Sequence, residues 1–393
     1  MRGEATMESN EFPLRKFVAP EFIFGMDART LAGRYARNFG GRKVLIVTDP
    51  GVKAADWSGQ VIATLEESGL DYVLFDRVTS NPKSEEVAAG AAVYRQEGCN
   101  AIVAVGGGSP MDCAKGIGIV SANNGEIVDF EGVDRVEQSI PPLICIPTTA
   151  GSAADVSQFA IITDSVRLTK IAIISKMIVP DVALIDPVTT TSLSRELTAQ
   201  TALDALCHGI EAFVSTAHSA ITDLYALQAI SSIASNLLPT LETPDNLGFR
   251  GRMMLASLEA GLAFSNASLG LIHAMAHSLG GMLDAPHGEC NALLLPHVID
   301  FNFPAEQERY SRIAGAMGVS TTGMTPDDTL AALHSRIACL LQASGVTRPL
   351  SQLGISRSDI PLLASKALDD PCIFTNPRQP SREDIEAIYE RVF

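Results

Sequence analysis

The first half of the chain alternates short apolar runs with segments of helical periodicity. The runs that predict strands cover residues 43–48, 71–76, 101–105, 142–146 and 182–185, and the predicted helices cover 55–68, 84–97 and 110–120. Parallel strands need a crossover connection, which is usually a helix, so this alternation indicates a parallel sheet with helices on both faces. The first half is therefore predicted to form an α/β domain.

The second half loses this alternation and is almost entirely helical in its periodicity. The predicted helices include residues 195–215, 220–238, 251–265, 271–282, 329–344 and 382–392. We place the boundary near Asp186-Pro187. The expected organisation is a flexible N-terminal segment (1–20), an α/β domain with a parallel sheet (21–187) and an all-α C-terminal domain (188–393). A length of 393 residues also favours two domains, because one hydrophobic core rarely serves so long a chain.

The bulk composition argues against several classes of protein. A net charge of −16 disfavours nucleic acid or an anionic membrane surface as a partner. No apolar run approaches the length needed to span a bilayer, and residues 1–12 lack the basic start and apolar core of a signal peptide. The seven cysteines are odd in number and show no CxxC spacing. We therefore expect reduced thiols and a cytoplasmic location.

One predicted strand, residues 101–105, runs directly into the glycine turn GGGSP at 106–110. Glycines let backbone N–H groups approach phosphate oxygens, and the N-terminus of the following helix adds a favourable dipole. Pro110 suits the first position of that helix. The turn matches neither the GxGxxG fingerprint nor a Walker A loop, so a phosphate site and a plain tight turn both stay open here.

A second turn, PTTAGS at 147–152, offers hydroxyl groups at the carboxyl edge of the same sheet, where ligands bind in open α/β folds. Asp49 follows the first predicted strand and suits hydrogen bonds from a ribose diol, while its charge would repel a 2′-phosphate. This favours NAD, although the nearby Lys53 keeps NADP open as the less favoured cofactor. Asp49 precedes the glycine turn, whereas the usual dinucleotide fold places its acid after it, so this is not a standard Rossmann unit.

Histidines and one aspartate in the second half are spaced for metal binding. His273 and His277 are four residues apart in a helical segment, as are Asp204 and His208, so each pair shares one helix face. His287 follows after a short break in the helical pattern. Three imidazoles and a carboxylate suit a divalent cation. Satisfied core histidines are the alternative that spacing alone leaves open.

Taken together, these segments resemble the iron-containing (group III) alcohol dehydrogenase family, within the dehydroquinate-synthase-like superfold. The resemblance extends from about residue 21 to residue 393. The matching motifs are VGGGSPMDCAK at 105–115, IPTTAGSAAD at 146–155, DALCHGIEAF at 204–213, GLIHAMAHSLGG at 270–281, PHGECNALLLPH at 286–297 and TNPRQP at 375–380.

The resemblance implies a set of site residues and cofactors. The implied metal ligands are Asp204, His208, His273 and His287. His277 is then a catalytic residue that faces substrate and nicotinamide and relays a proton. The implied dinucleotide site consists of Asp49, Asn81, Gly107, Gly108, Ser109, Asp112, Thr148, Thr149, Ser152 and Lys170. The implied cofactors are Fe²⁺, with Zn²⁺ as the alternative, and NAD, and family members are typically homodimers or larger assemblies.

The predicted activity is hydride transfer between the nicotinamide cofactor and a small primary alcohol or aldehyde, with the metal as a Lewis acid. A glycerol-dehydrogenase-like zinc enzyme is one alternative. A dehydroquinate-synthase-like lyase is another, but it needs several basic residues for a phosphate-bearing substrate, and residues 204–287 hold only a few, such as Arg250 and Arg252. A non-enzymatic metal-binding role is the third.

Three departures from the family's pattern bear on the substrate preference. The chain reads SAAD at 152–155, where the family commonly has GSE after PTTAG-Thr. Glu289 and Cys290 stand where the family commonly has Leu or Val followed by Ala, and His218 replaces an Asn or similar small polar residue. We predict that Cys290 is a buried structural thiol, with metal ligation or oxidation as the alternatives.

Overall fold

The computed structural model describes residues 14–346 and 348–393. Most of the predicted flexible segment, residues 1–13 of 1–20, lies outside the described residues. Residues 14–20 are described and have no regular secondary structure. The described chain consists of an N-terminal part built on a parallel sheet and a C-terminal part built from helices, as the sequence predicts.

Nine strands are present among the described residues. They are β1 (Glu21–Phe24), β2 (Lys43–Val47), β3 (Asp71–Phe75), β4 (Ala101–Gly106), β5 (Gly132–Val133), β6 (Leu143–Pro147), β7 (Phe159–Asp164), β8 (Thr169–Ile174) and β9 (Val182–Ile185). Six of them form one sheet in the order β1-β9-β6-β4-β2-β3, in which every pair is parallel. The five predicted strands are all in this sheet.

Helices cover both faces of the large sheet. They are α1 (Ala32–Asn38), α2 (Pro50–Ala54), α3 (Trp57–Glu67), α4 (Ser84–Gln96) and α5 (Gly108–Ala122). Successive residues of a strand point to opposite faces. In β2, Leu45 and Val47 accordingly pack in one buried cluster with residues of α4 and α5, while Val44 and Ile46 pack in another with α1 and α3. Burial on both faces explains why these strands read as unbroken apolar runs.

A second, smaller sheet was not predicted. It has the order β5-β8-β7, and β7 pairs with β8 in the antiparallel sense. The turn between them contains neither Gly nor Pro: Leu168 takes the positive φ of 50°, and the Asp164 carboxylate accepts hydrogen bonds from the Val166 and Arg167 amides. The sequence therefore lacked the usual hairpin signal.

The C-terminal part contains nine α-helices among the described residues. They are α6 (Arg195–Val214), α7 (Ala220–Glu242), α8 (Leu247–Ala267), α9 (Leu271–Leu283), α10 (His287–Asn302), α11 (Gln307–Ala316), α12 (Pro326–Ser344), α13 (Ile360–Asp369) and α14 (Arg382–Val392). Side-chain caps fix several starts: Ser194, Thr325 and Ser381 each accept a hydrogen bond from a first-turn amide of α6, α12 and α14. His287, predicted to lie beyond a break, is the first residue of α10.

The small sheet packs directly on α9. A Cβ added at Gly280 would lie 2.7 Å from Lys170 Cε, and one at Gly281 would lie 2.8 Å from the Lys170 backbone nitrogen and Thr169 Cα. Only glycine permits this approach, which brings the hairpin from the α/β part against the helix that carries His273 and His277.

Within the described residues, no single helix is both long and apolar enough to cross a membrane. The segments Leu247–Ala267 and Leu271–Leu283 pass this test of length and composition only as a pair, and they are bent by 100° where they meet.

Candidate active site

A cleft of about 780 Å³ lies between the α/β part and the helical part. Its size is within the range of small-molecule and cofactor sites. Side chains or backbone of all fifteen predicted site residues line this one cleft. The structure thus brings together residues that are separated by up to 238 positions, from Asp49 to His287.

The glycine turn joins the end of β4 to the start of α5. Gly106 has a φ of 155°, and a Cβ there would lie 2.5 Å from Pro110 Cγ. A Cβ at Gly107 or Gly108 would approach Thr149 or Ser152 to 3.0 Å. The glycines therefore let the glycine turn and the PTTAGS turn at 147–152 lie against each other at the carboxyl edge of the sheet.

The helix after this turn begins two residues earlier than the sequence predicts. Gly107 is its N-cap and Gly108 its first residue, so Pro110 is third, not first. Proline is still tolerated there, because the amides of the first turn have no partner within the helix. The early start turns the Gly108 and Ser109 amides toward the helix N-terminus, where an anion is favoured.

Asp49 lies just beyond β2 and caps the short helix α2. Its Oδ1 accepts a hydrogen bond from the Val52 amide at 2.9 Å. The neighbouring Lys53 forms an ion pair with Asp76, with 2.5 Å between Nζ and Oδ2. The basic group that could have favoured a 2′-phosphate is thus paired with another carboxylate.

Polar residues at the centre of the cleft come from both parts of the chain. Asn81, in the left-handed region with a φ of 54°, donates from Nδ2 to Asp284 Oδ1 at 2.6 Å and so bridges the α/β part and the end of α9. Burial lowers the pKa of Lys170 despite nearby carboxylates. Burial also raises the pKa of Asp112 to about 6. Apart from the histidines, Lys170 is the one basic side chain among the described residues that line the cleft.

The predicted metal ligands converge on one carboxylate oxygen. Asp204 Oδ1 lies 3.8 Å from His208 Nε2, 3.6 Å from His273 Nε2 and 3.7 Å from His287 Nε2. Donor atoms around a divalent ion with bonds of about 2.0–2.2 Å stand roughly 3.4 Å apart in a tetrahedron, so these three distances from Asp204 are close to the required size. The ligand atoms of Asp204, His208 and His273 also all lie within 4.8 Å of one another, while His287 joins them through its approach to Asp204. The residues present fit a divalent cation bound by one oxygen and three nitrogen atoms.

We call Asp204, His208, His273 and His287 the donor set. A fifth side chain, Asn291, faces these residues. Its Nδ2 lies 2.6 Å from Asp204 Oδ1, 3.1 Å from His273 Nε2 and 3.2 Å from His287 Nε2, and its buried Oδ1 has no hydrogen-bond partner. The two orientations of an asparagine amide differ only in which atom faces the donors. Asn291 is one helical turn after His287, a spacing that could have suggested it.

Glu211 contacts the His273 ring at Nδ1, while the other ring nitrogen, Nε2, faces Asp204. Its Oε2 lies 2.5 Å from His273 Nδ1, and its Oε1 accepts from the Ile272 amide at 2.6 Å. A carboxylate on Nδ1 leaves Nε2 with its lone pair for a metal, an arrangement common in metal sites. Sequence reasoning missed Glu211, although it continues the i, i+4, i+7 face of α6 that Asp204 and His208 begin.

The charges around the donor set favour a bound cation. Burial lowers the pKa of His208 to about 4 and that of His287 well below its ordinary value, which leaves both imidazoles neutral. Burial alone would raise the pKa of Asp204, but the surrounding imidazoles hold it far below its ordinary value. Burial would lower the pKa of His273, but Glu211 and Asp204 raise it to about 9. A cation at this point would replace that proton.

His277 lies beside the donor set but is held by another residue. Its ring centroid is 5.2 Å from that of His287 and 6.0 Å from that of His273. Its Nδ1 contacts Asp370, which also accepts from the Cys372 amide. Sequence reasoning missed Asp370, which is 93 positions from His277 and carries no local signal.

The positions that depart from the family pattern lie outside the donor set. Cys290 is fully buried, burial raises its pKa to about 12, and it belongs to neither group of candidate metal ligands found among the described residues. Glu289 is buried and forms a two-point ion pair with Arg348. His218 lies 3.3 Å from Asp223, away from the residues that line the cleft.

Comparison with known proteins assigns both parts of the chain to one family. The family described as "Iron-containing alcohol dehydrogenase" matches residues 19–187, and the one described as "Fe-containing alcohol dehydrogenase family, C-terminal" matches residues 198–393. The chain is 41% identical over 377 residues to a 1,3-propanediol dehydrogenase from Klebsiella pneumoniae, with 94% of this chain and 96% of that protein covered.

Solved structures agree with this assignment. A crystal structure of 1,3-propanediol oxidoreductase superposes with a TM-score of 0.93 at 38% identity, and covers 97% of this chain and 100% of its own. The crystal structure of a sulfoacetaldehyde reductase from Bifidobacterium kashiwanohense in complex with NAD⁺ superposes with a TM-score of 0.84 at 27% identity, and covers 97% of this chain and 99% of its own.

Proposed function

Because this chain belongs to the iron-containing alcohol dehydrogenase family, and is an oxidoreductase that acts on alcohols or aldehydes, we propose that its cleft holds NAD and a divalent cation side by side. The reaction converts a small primary alcohol and NAD⁺ to the aldehyde, NADH and a proton, or runs in reverse. One observation carries the proposal: the glycine turn and the four-residue donor set open into the same cleft.

The proposed ligands are Asp204, His208, His273 and His287, and the proposed metal is Fe²⁺, with Zn²⁺ as the alternative that the same donors accept. When bound, the ion supplies Lewis-acid polarisation of the substrate oxygen. Glu211 orients His273, and the neutral imidazoles of His208 and His287 offer lone pairs.

The proposed dinucleotide site starts at the turns after β2, β4 and β6. Asp49 is proposed to carry the preference for NAD, since a carboxylate that lines the cleft just after β2 suits hydrogen bonds from a ribose diol and would repel a 2′-phosphate. The ion pair between Lys53 and Asp76 supports this choice. The NAD⁺ complex of the related sulfoacetaldehyde reductase is consistent with it.

His277 is proposed to move the proton. With Nδ1 held by Asp370, its Nε2 is the ring nitrogen left for the cleft, where it can take a proton from the substrate side and return it to solvent. The hydride passes directly between the substrate carbon and the nicotinamide ring.

We also propose that the chain works as a homodimer in the cytoplasm. Strand β1 pairs with β9 on one side, and no other described strand pairs with it. Its Phe22 and Phe24 are 40% and 39% exposed. An apolar edge strand of this kind is suited to pairing with another chain. The seven free cysteines support a reducing compartment.

The proposal is tested by the oxidation of NADH and of NADPH with a panel of small aldehydes. The protein is purified without oxygen and loaded with Fe²⁺, and a chelator-treated sample is the control. Metal-dependent turnover that prefers NADH supports the proposal. Absence of turnover in protein that binds both metal and NADH would contradict it. The internal-redox lyase is disfavoured because Arg250 is buried against Thr198 and Pro244, away from the cleft.

A further inference from the structure

The donor set has an apolar wall on one side. The Phe264 ring stacks on His208, with 4.3 Å between centroids and 23° between planes. Phe159 meets Phe264 edge-on at 5.6 Å and 65°. Both rings and Leu269 line the cleft while remaining 3–5% exposed. We call Phe159, Phe264 and Leu269 the apolar wall.

Three different elements supply this wall, so its position is well fixed. Phe159 begins β7, Phe264 is in the last turn of α8, and Leu269 is in the connection to α9. The Leu269 carbonyl accepts from Thr375 Oγ1 at 2.6 Å. The wall is therefore a built surface of the cleft and not a mobile loop tip.

The polar side chains of Gln158 and Lys115, which lie next to the wall, are bound within the protein. The Gln158 amide donates to Ser265 Oγ at 3.1 Å, and the Gln158 side chain donates to the Ser265 carbonyl. Lys115 Nζ donates to the carbonyls of Ser157 and Phe159 at 2.8 and 2.7 Å. On the neighbouring loop, Ala154 adds only a methyl group to the cleft lining.

A substrate whose oxygen is at the donor set must place its carbon chain near this wall. We propose that the wall selects primary alcohols and aldehydes with an unsubstituted hydrocarbon tail over diols and hydroxyaldehydes of the same length. This inference rests on the proposed function and names the substrate class of the same site. A methyl group gains from burial against the wall, whereas a hydroxyl placed against these three side chains loses its water and finds no polar atom on them.

An isosteric pair of substrates tests the inference. 1-Butanol and 1,3-propanediol have the same number of heavy atoms and differ in a terminal methyl against a hydroxyl. With NAD⁺ and Fe²⁺-loaded enzyme, we expect kcat/KM for 1-butanol to exceed that for 1,3-propanediol by about 10-fold or more. Equal values, or a preference for the diol, would overturn the inference.

Two near-isosteric variants at one position separate polarity from shape. Phe159→Leu keeps the wall apolar, and Phe159→Asn offers an amide of similar size. The butanol preference should persist in the leucine variant and fall about fivefold or more in the asparagine variant. If both variants change the preference by the same factor, the wall acts through volume and not through polarity, and the inference is wrong.

A binding measurement makes the test independent of turnover. Butyramide and 3-hydroxypropionamide are unreactive carbonyl analogues with the same methyl-for-hydroxyl difference. Calorimetric titration into the enzyme–NADH complex should show tighter binding of butyramide by a similar factor, and equal affinities would count against the wall. Lack of metal-dependent turnover with either alcohol, in protein that binds NADH and metal, would instead overturn the proposed function itself.

Discussion

Asp370 Oδ2 lies 2.7 Å from His277 Nδ1, and both side chains are buried. The second oxygen of Asp370 accepts from the Cys372 amide at 2.8 Å, so the carboxylate is itself fixed. The charge of His277 and these hydrogen bonds lower the pKa of Asp370 against the opposing effect of burial. Whenever the His277 ring is uncharged, an ionised Asp370 places the ring hydrogen on Nδ1, and the lone pair is then on Nε2.

Replacing Asp370 should impair turnover without loss of metal. In Asp370→Asn, the amide no longer specifies which ring nitrogen carries the hydrogen, and kcat should fall roughly 10- to 100-fold. Metal content should stay near that of the parent protein. In a His277→Ala background the same change should have little further effect, because the two residues act as one unit. Asp369→Asn, at the exposed neighbouring position, is the control. Additive losses in the double variant would contradict this role.

Replacing a proposed ligand should remove the bound metal, whereas replacing His277 should leave the metal content unchanged. Asp204→Ala deletes the oxygen on which three imidazoles converge, so the protein should retain little Fe²⁺ or Zn²⁺ after dialysis. His277→Ala should retain near-stoichiometric metal and lose turnover. Elemental analysis decides between them, and full metal in the first variant or none in the second would refute the assignment.

Glu211 should set metal affinity without contacting the metal. Glu211→Gln keeps the shape of the side chain but removes the charge behind His273. We expect metal to bind about 10- to 100-fold more weakly, as measured by competition with a chromophoric chelator. Glu196→Gln, an exposed glutamate in the first turn of the same helix, controls for a change of charge alone. Equal affinity in the Glu211 variant and the parent would show that the carboxylate has no part in binding.

Asp49 should discriminate between the two nicotinamide cofactors. Asp49→Asn keeps an oxygen that can accept from the Val52 amide, so α2 stays capped, and it removes the negative charge. The ratio of kcat/KM for NADH over NADPH should fall by about 10-fold, the scale of one screened charge repulsion. Asp56→Asn, an exposed acid outside the cleft, serves for comparison. An unchanged ratio of kcat/KM for NADH over NADPH would show that a residue other than Asp49 determines the cofactor preference.

Glu259 should make the folded state less stable as the pH rises. It is half-buried on α8, its Oε2 has no partner, and burial raises its pKa from 4.5 to about 7. Between these values the folded state binds more protons than the unfolded state, so stability falls with increasing pH and the loss is complete above about pH 7.

Glu259→Gln removes this titration. The free energy of unfolding, measured in urea at pH 5, 6 and 7.5, should therefore be similar to the parent at pH 5 and higher than the parent at pH 7.5. Glu242→Gln, at an exposed glutamate that ends α7, should show no such divergence. Parallel curves for the parent and Glu259→Gln would exclude the effect.

The parts of the fold that could be predicted are those with strong local patterns. The central strands are buried on both faces and therefore appear as unbroken apolar runs, and the long C-terminal helices have clear periodicity and caps. The hairpin of β7 and β8 was not predicted, because Leu168 and not a glycine takes the left-handed turn position. Strand β1 was not predicted, because it is short and exposed at the sheet edge.

The site residues also divide into those with a local pattern in the sequence and those without one. Residues four apart on one helix, such as Asp204 and His208, signal a shared face in the sequence itself. Asp370 and Arg348 act on His277 and Glu289 from distant parts of the chain, and only tertiary packing brings them there. Supporting residues of this kind leave no periodic pattern in the sequence. The sequence could therefore predict that the proposed donors come together, but not most of the groups that hold them.

The proposed donors for the metal are divided among three helices, with Asp204 and His208 on α6, His273 on α9 and His287 at the start of α10. During synthesis the first two emerge long before the last, and no nascent segment carries the whole set. The ion can therefore be captured by all four donors only once most of the polypeptide has been made. If these four residues bind the metal as proposed, the supply of ions around a nearly complete chain decides which metal occupies the site.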